Sequence, residues 1–199
     1  MTDDTGKLPD GEFTTSLAAG EDGIFVAIGS NLPLCAGGSP LESCERALLA
    51  LAREPVTVAA RSRWYRSAPV PASDQPDFVN GVARIETALP PGRLLAALHA
   101  VEDRLGRRRR ARNEARAIDL DLIAYGRLCR DPGPSGGGPV LPHPRLGERA
   151  FVLLPLGELA PGWRHPGSGR TLSRLVAALP PGQSCEPLPH GPDTRSRCY

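Results

Sequence analysis

Apolar residues along this chain switch between a period of two and a period of three to four, and the switches predict its elements. Ile24-Phe25-Val26-Ala27-Ile28 is a short apolar run stopped by Gly29-Ser30-Asn31, which predicts a buried strand ending in a turn. Ser39-Pro40-Leu41-Glu42 is a capping box with proline at the first helical position. A helix should start there, run through Leu48 and Leu51, and stop before Pro55. Residues 56–65 (V-T-V-A-A-R-S-R-W-Y) are β-branched and aromatic and predict a second strand. In residues 77–87, Val79, Ala83 and Ile85 alternate against Phe78, Asn80, Val82, Arg84 and Glu86. This strand should pack one face on a core and show a ring and an amide on the other. Leu94, Leu95, Leu98, Val101 and Leu105 then recur at helical spacing as far as Gly106, a C-cap candidate. Residues 117–125 (A-I-D-L-D-L-I-A-Y) alternate again as a strand.

The order strand, helix, strand, strand, helix, strand predicts an α+β fold, a ferredoxin-like βαββαβ sandwich with two helices on one face of an antiparallel sheet. Residues 149–160 and 171–179 predict C-terminal helical additions. Residues 1–22 lack periodicity and predict a disordered acidic leader, residues 23–179 the folded domain, and residues 180–199, with five prolines, a disordered tail. The Gly-rich stretch 131–139 predicts a flexible loop.

Charge sharpens this picture. The net charge is only +2, but residues 1–22 carry six acids against Lys7, and Arg104, Arg107, Arg108, Arg109, Arg110, Arg112 and Arg116 fall within thirteen residues. Five cysteines without C-x-x-C spacing argue for reduced thiols rather than a disulfide or zinc framework. With no long apolar run and no signal-peptide pattern, the expectation is a cytoplasmic protein without a membrane contact.

Asp119 and Asp121, two apart on a strand, point their carboxylates to one face while Ile118, Leu120 and Leu122 point to the other. Two like charges so close repel unless a cation lies between them, and hard oxygen ligands suit Mg²⁺. The D-x-D spacing alone is unspecific; a solvated strand face gives it equally well. The arginine cluster just upstream is the complementary half, because guanidinium groups bind phosphate oxygens bidentately. A basic loop on an open sheet also suits single-stranded RNA. Against that alternative, aromatics are only 5% of the chain and the RNA-binding K/R-G-F/Y-G/A-F-V-x-F/Y signature is missing. Phe78 and Asn80 on one strand face suit a flat heterocycle, which a ring stacks on and an amide reads. His143 has no second histidine nearby in sequence to make a metal site. Neither G-x-x-x-x-G-K-[ST] nor G-x-S-x-G occurs, which removes motif-based P-loop and nucleophile-elbow readings.

Five segments in order carry a resemblance: A-I-G-S-N-L (27–32), Y-R-S-A-P-V (65–70), Q-P-D-F-V-N (75–80), R-x-x-x-R-A-I-D-L-D-L-I (112–123) and L-P-H-P-R-L-x-E-R-A-F-V-L-x-P-L (141–156). Together they resemble the 6-hydroxymethyl-7,8-dihydropterin pyrophosphokinases, folate-pathway enzymes that move pyrophosphate from ATP to a pterin alcohol. The resemblance implies an ATP-dependent diphosphotransferase with two Mg²⁺ ions, acting on small molecules and not on nucleic acid, expected as a monomer. It implies metal binding by Asp119 and Asp121, and a pterin site of Ser67, Ala68, Val70, Phe78, Asn80 and Phe151. It implies ATP contacts from Arg107, Arg112, Arg116, His143 and Arg149, with Arg109 and Arg116 acting on the transferring phosphates beside the two aspartates. Three departures stand out. Asn113 lies where the family often has a tryptophan, Phe78 replaces a frequent tyrosine, and the loop after Gly106 is one residue short, so Arg108, Arg109 and Arg110 are interchangeable as phosphate ligand.

Overall fold

The computed structural model describes residues 21–53, 55–106, 115–131 and 137–189. The first strand, β1 (Ile24–Ser30), leads into helix α1 (Pro40–Leu51). The predicted capping box forms: Ser39 Oγ accepts from the Glu42 N–H at 3.2 Å, and Glu42 Oε2 accepts from the Ser39 N–H at 2.8 Å. The segment predicted as one strand over 56–65 is two, β2 (Thr57–Arg61) and β3 (Tyr65–Ser67), both paired with the long β4 (Phe78–Glu86). The break at 62–64 has a packing cause. Trp64 turns into the core over Gly81, where a Cβ would stand 2.7 Å from the indole. Helix α2 (Pro91–Arg104) ends at Gly106, whose φ of 81° is the left-handed conformation that suits glycine. Strand β5 (Asp119–Tyr125) closes the βαββαβ unit, followed by helices α3 (Ala150–Leu159) and α4 (Leu172–Ala177).

Neighbouring strands are all antiparallel, in the order β5-β1-β4-β3 with a further strand, β6 (Cys185–Pro187), beyond β3. That last strand corrects the expectation of a disordered tail from Pro180. The open backbone edge of β3 offers hydrogen bonds that outweigh the local proline content, and Leu188 N–H also donates to the Trp64 carbonyl at 2.8 Å. The leader before Glu21 and the tail beyond Pro189 lie outside the described residues.

Alternation along the strands sorts the core into two layers. Val26, Ile28, Val79, Ala83, Ile85, Leu120 and Leu122 face α1 and α2, meeting the fully buried Leu51, Leu94 and Leu98. Phe25, Val82 and Ile123 face the other way, onto Leu153, Leu156 and Trp163 around α3 and α4. Each such leucine stabilises the fold by about 1.5–3 kcal/mol on burial. The C-terminal helices cover only part of the second face. Where they stop, the strand residues facing that side are Phe78, Asn80, Asp119 and Asp121, and the sheet forms the floor of a cleft.

Candidate active site

The cleft holds about 920 Å³ of space between protein atoms, part of it continuous with open solvent. Its floor follows from sheet register. Gly29 on β1 stands opposite Asn80 on β4 and opposite Asp119 on β5, and Ala27 stands opposite Val82 and Asp121. Small residues on the central strand keep the floor low between the two functional edges. A Cβ on Gly29 would lie 2.9 Å from Asn80 Oδ1, closer than side chains pack.

One wall is apolar. Ser67, Ala68, Val70 and Phe78 line it from β3, the following loop and the start of β4. Asn80 and Ser67 are both buried, and the Asn80 Nδ2 donates to Ser67 Oγ at 2.9 Å. Phe151 enters from the first turn of α3, with the Arg149 guanidinium 5.3 Å from its ring centroid. All six residues expected to hold the heterocycle therefore open into one cavity.

The opposite wall is charged. Arg116 Nη1 contacts Asp119 Oδ2 at 2.7 Å, and Arg149 Nη1 stands 3.9 Å from Asp121 Oδ2. At the cleft floor, protein displaces much of the solvent around Asp121, and this pushes its carboxyl above the usual range; Asp119 adds to the effect, while His143, Arg149 and Arg116 oppose it. His143 shifts down, chiefly through burial, with Arg149 and Arg145 adding and Asp121 opposing. Its Nδ1 accepts from the Arg145 N–H at 3.2 Å, so the neutral ring carries its proton on Nε2. Arg149 is shifted down mainly by burial, and its Nε is buried with no hydrogen-bond partner among the described residues. A guanidinium with spare donors beside two carboxylates fits a ligand that brings both a cation and anionic oxygens. No three His, Cys, Asp or Glu side chains converge on one point among the described residues. Two carboxylates suit Mg²⁺ when phosphate oxygens and water complete its shell.

Arg116, Asp119, Asp121, His143 and Arg149 thus share the cleft with the six apolar-wall residues. Arg107, Arg109 and Arg112, with Arg108 and Arg110, lie outside the described residues. Three residues assigned no role on sequence also shape the site. Asn31, almost fully buried, accepts from the Arg116 N–H at 2.7 Å and donates to Gln75 Oε1 at 3.1 Å, clipping the segment before Phe78 to the charged wall. Glu102, wholly buried on α2, accepts from the Leu120 N–H at 2.7 Å on the open edge of β5, between the two aspartates. Its signal was present: a carboxylate beside Val101 within the core stripe of a helix. Gly29 signalled itself only as the small residue ending an apolar run.

Residues 25–161, more than half of the chain, match the family described as 7,8-dihydro-6-hydroxymethylpterin-pyrophosphokinase (HPPK). The chain belongs to this family. A 2-amino-4-hydroxy-6-hydroxymethyldihydropteridine pyrophosphokinase of Pseudomonas aeruginosa is 44% identical over 158 residues, covering 79% of this chain and 91% of the relative. An enzyme of the same name from Synechocystis is 37% identical over 155 residues, covering 77% of this chain and 74% of the relative. Among solved structures, a Plasmodium falciparum HPPK-DHPS chain with pteroate superposes with a TM-score of 0.59 at 12% identity, over 81% of this chain and 44% of that one. This likeness is one of fold. It agrees with the α+β sandwich built from the sequence.

Proposed function

We propose that this HPPK-family enzyme transfers the terminal pyrophosphoryl group of ATP to the hydroxymethyl group of 6-hydroxymethyl-7,8-dihydropterin, a step of folate biosynthesis. The observation that carries this reading is the union of two walls in one cleft: rings and an amide on one side, carboxylates and guanidiniums on the other. Phe78 and Phe151 offer faces for the bicyclic ring, and Asn80, held by Ser67, offers its amide to the ring's hydrogen-bonding edge. Orientation of this kind is the main help the apolar wall can give.

In the reaction the substrate hydroxyl oxygen bonds to the β-phosphorus. The bond from that phosphorus to the oxygen bridging it to the α-phosphate breaks, its electron pair leaves with AMP, and the hydroxyl proton is released. Asp119 and Asp121 would hold Mg²⁺, which when bound neutralises phosphate charge as the group moves; two ions are the expected number. Arg116 and Arg149 neutralise further oxygens, and His143 can donate from Nε2 while neutral. Arg107, Arg109 and Arg112 are proposed to add contacts to ATP. The described cysteines are free thiols, which suits a monomer working in the cytoplasm; no described helix is long and apolar enough to cross a membrane.

The reading is tested by following ATP in the presence of Mg²⁺, with and without the pterin alcohol. ATP should be consumed only when the pterin is present. Consumption at the same rate without it would mark an ATPase and overturn the reading.

A further inference from the structure

Past the region that matches the family, the chain returns to the cleft without entering it. Gly182, with φ of 81°, turns the backbone so that the Gln183 side chain lies across the start of α3. Gln183 Oε1 accepts from the Ala150 N–H at 2.9 Å, and its Nε2 donates to the Glu148 carbonyl at 2.8 Å. The residue at the N-cap of α3 is Arg149, whose side chain makes no capping bond. A helix start leaves N–H groups that need partners, so a glutamine from 33 residues away does the capping. Two residues later the same segment pairs with β3, with Cys185 opposite Ser67.

We propose that residues 183–188 are a positioning strap for the pterin site, with Gln183 as its principal residue. The strap holds two things at once. At Gln183 it fixes the first turn of α3, where Phe151 stands; Arg149, just before that turn, is held in addition by Asp121 and by its own carbonyl, which accepts from the Val152 and Leu153 N–H groups. At β6 it fixes the strand that ends in Ser67 and leads into Ala68 and Val70. Both stretches line the cavity, and Gln183 itself is not among the lining residues. The body of α3 is held separately, by burial of Val152, Leu153 and Leu156, so losing the Gln183 bonds should loosen the wall without unfolding the helix. The inference rests on the proposed pterin site, and it names a residue for the fit of the ring rather than for the phosphates.

The test compares wild type, Gln183→Ala and Gln183→Glu in the full chain. Steady-state kinetics with each substrate varied would be joined to hydrogen exchange at residues 150–153. Gln183→Ala should raise the pterin KM about five-fold, as expected for one or two partly exposed hydrogen bonds, with ATP KM and kcat within about two-fold. Exchange at 150–153 should quicken while α1 and α2 stay unchanged. Gln183→Glu keeps the acceptor at the helix N-terminus but loses the donor to the Glu148 carbonyl, and should recover only part of the loss, with a pterin KM about two- to three-fold above wild type. Unchanged pterin KM and exchange in Gln183→Ala would overturn the strap, as would equal damage to both substrates and kcat. Wild type that turned over no pterin would instead sink the functional reading, and the exchange comparison would then decide the strap alone.

Discussion

The guanidinium of Arg116 lies 2.7 Å from the carboxylate of Asp119, so one of the two cleft aspartates carries its own counter-charge within β5 and its approach. Among the described residues, the ion pair of Asp121 is the looser one with Arg149, at 3.9 Å. The two carboxylates are therefore unequal before any metal arrives. Asp121→Asn should raise the metal-free melting temperature by a few degrees, within about 3 °C, because it removes a charge that the folded state disfavours. Asp119→Asn should leave it level or lower it, since an ion pair is lost. Both should lose most turnover at saturating Mg²⁺, and a variant with near-normal kcat would remove that residue from the metal site.

The same asymmetry has a pH signature. Asp121 holds its proton more tightly folded than unfolded, so as pH falls through its raised pKa the folded wild type takes up a proton before the unfolded chain does. Its destabilising charge is then gone. The stability advantage of Asp121→Asn over wild type, measured without Mg²⁺ by chemical denaturation, should be largest near neutral pH and shrink towards the acid end of that window. An advantage that grew on acidification would reverse the sign assigned here.

Gly29 predicts a different kind of loss. Its register opposite both Asn80 and Asp119 leaves no room for a methyl group, which would sit 2.9 Å from Asn80 Oδ1. Gly29→Ala should turn Asn80 away from its bond with Ser67 and raise the pterin KM about ten-fold or more, a typical effect of one carbon in a tight pocket. ATP affinity measured separately should hardly change. Equal losses for both ligands would mean the floor is not specific to the pterin side.

Stability of the apolar wall is carried partly by Glu158. Its carboxylate accepts from the buried Tyr65 hydroxyl and pairs with Arg63 at 2.8 Å, tying α3 to β3. Burial, joined by that carboxylate, pushes the Tyr65 phenol up to about 12. Glu158→Ala should cost about 1–2 kcal/mol, mostly from the unpaired hydroxyl, and lower the melting temperature by about 5 °C. Adding Tyr65→Phe to that variant should cost far less than Tyr65→Phe alone, and full additivity would deny the coupling.

Much of this was legible in sequence because local rules and tertiary structure agree. The Ser39 cap, the 79/83/85 alternation and the Asp119–Asp121 spacing each say the same thing at both levels. The residues that escaped are those whose meaning depends on partners far along the chain. Gln183 looks like a loop residue until Ala150 is beside it, and β6 looks like a proline-rich tail until the edge of β3 is. Asn31 stood in a recognisable motif, but its part in joining Gln75 to Arg116 needs contacts 44 and 85 residues away.

The most direct measurement is the identity of the nucleotide formed when ATP, Mg²⁺ and 6-hydroxymethyl-7,8-dihydropterin are incubated with the protein. AMP should appear in equal amount with a pterin carrying two phosphates, and label at the β- and γ-positions of ATP should both reach the pterin. ADP with a singly phosphorylated pterin would contradict pyrophosphoryl transfer.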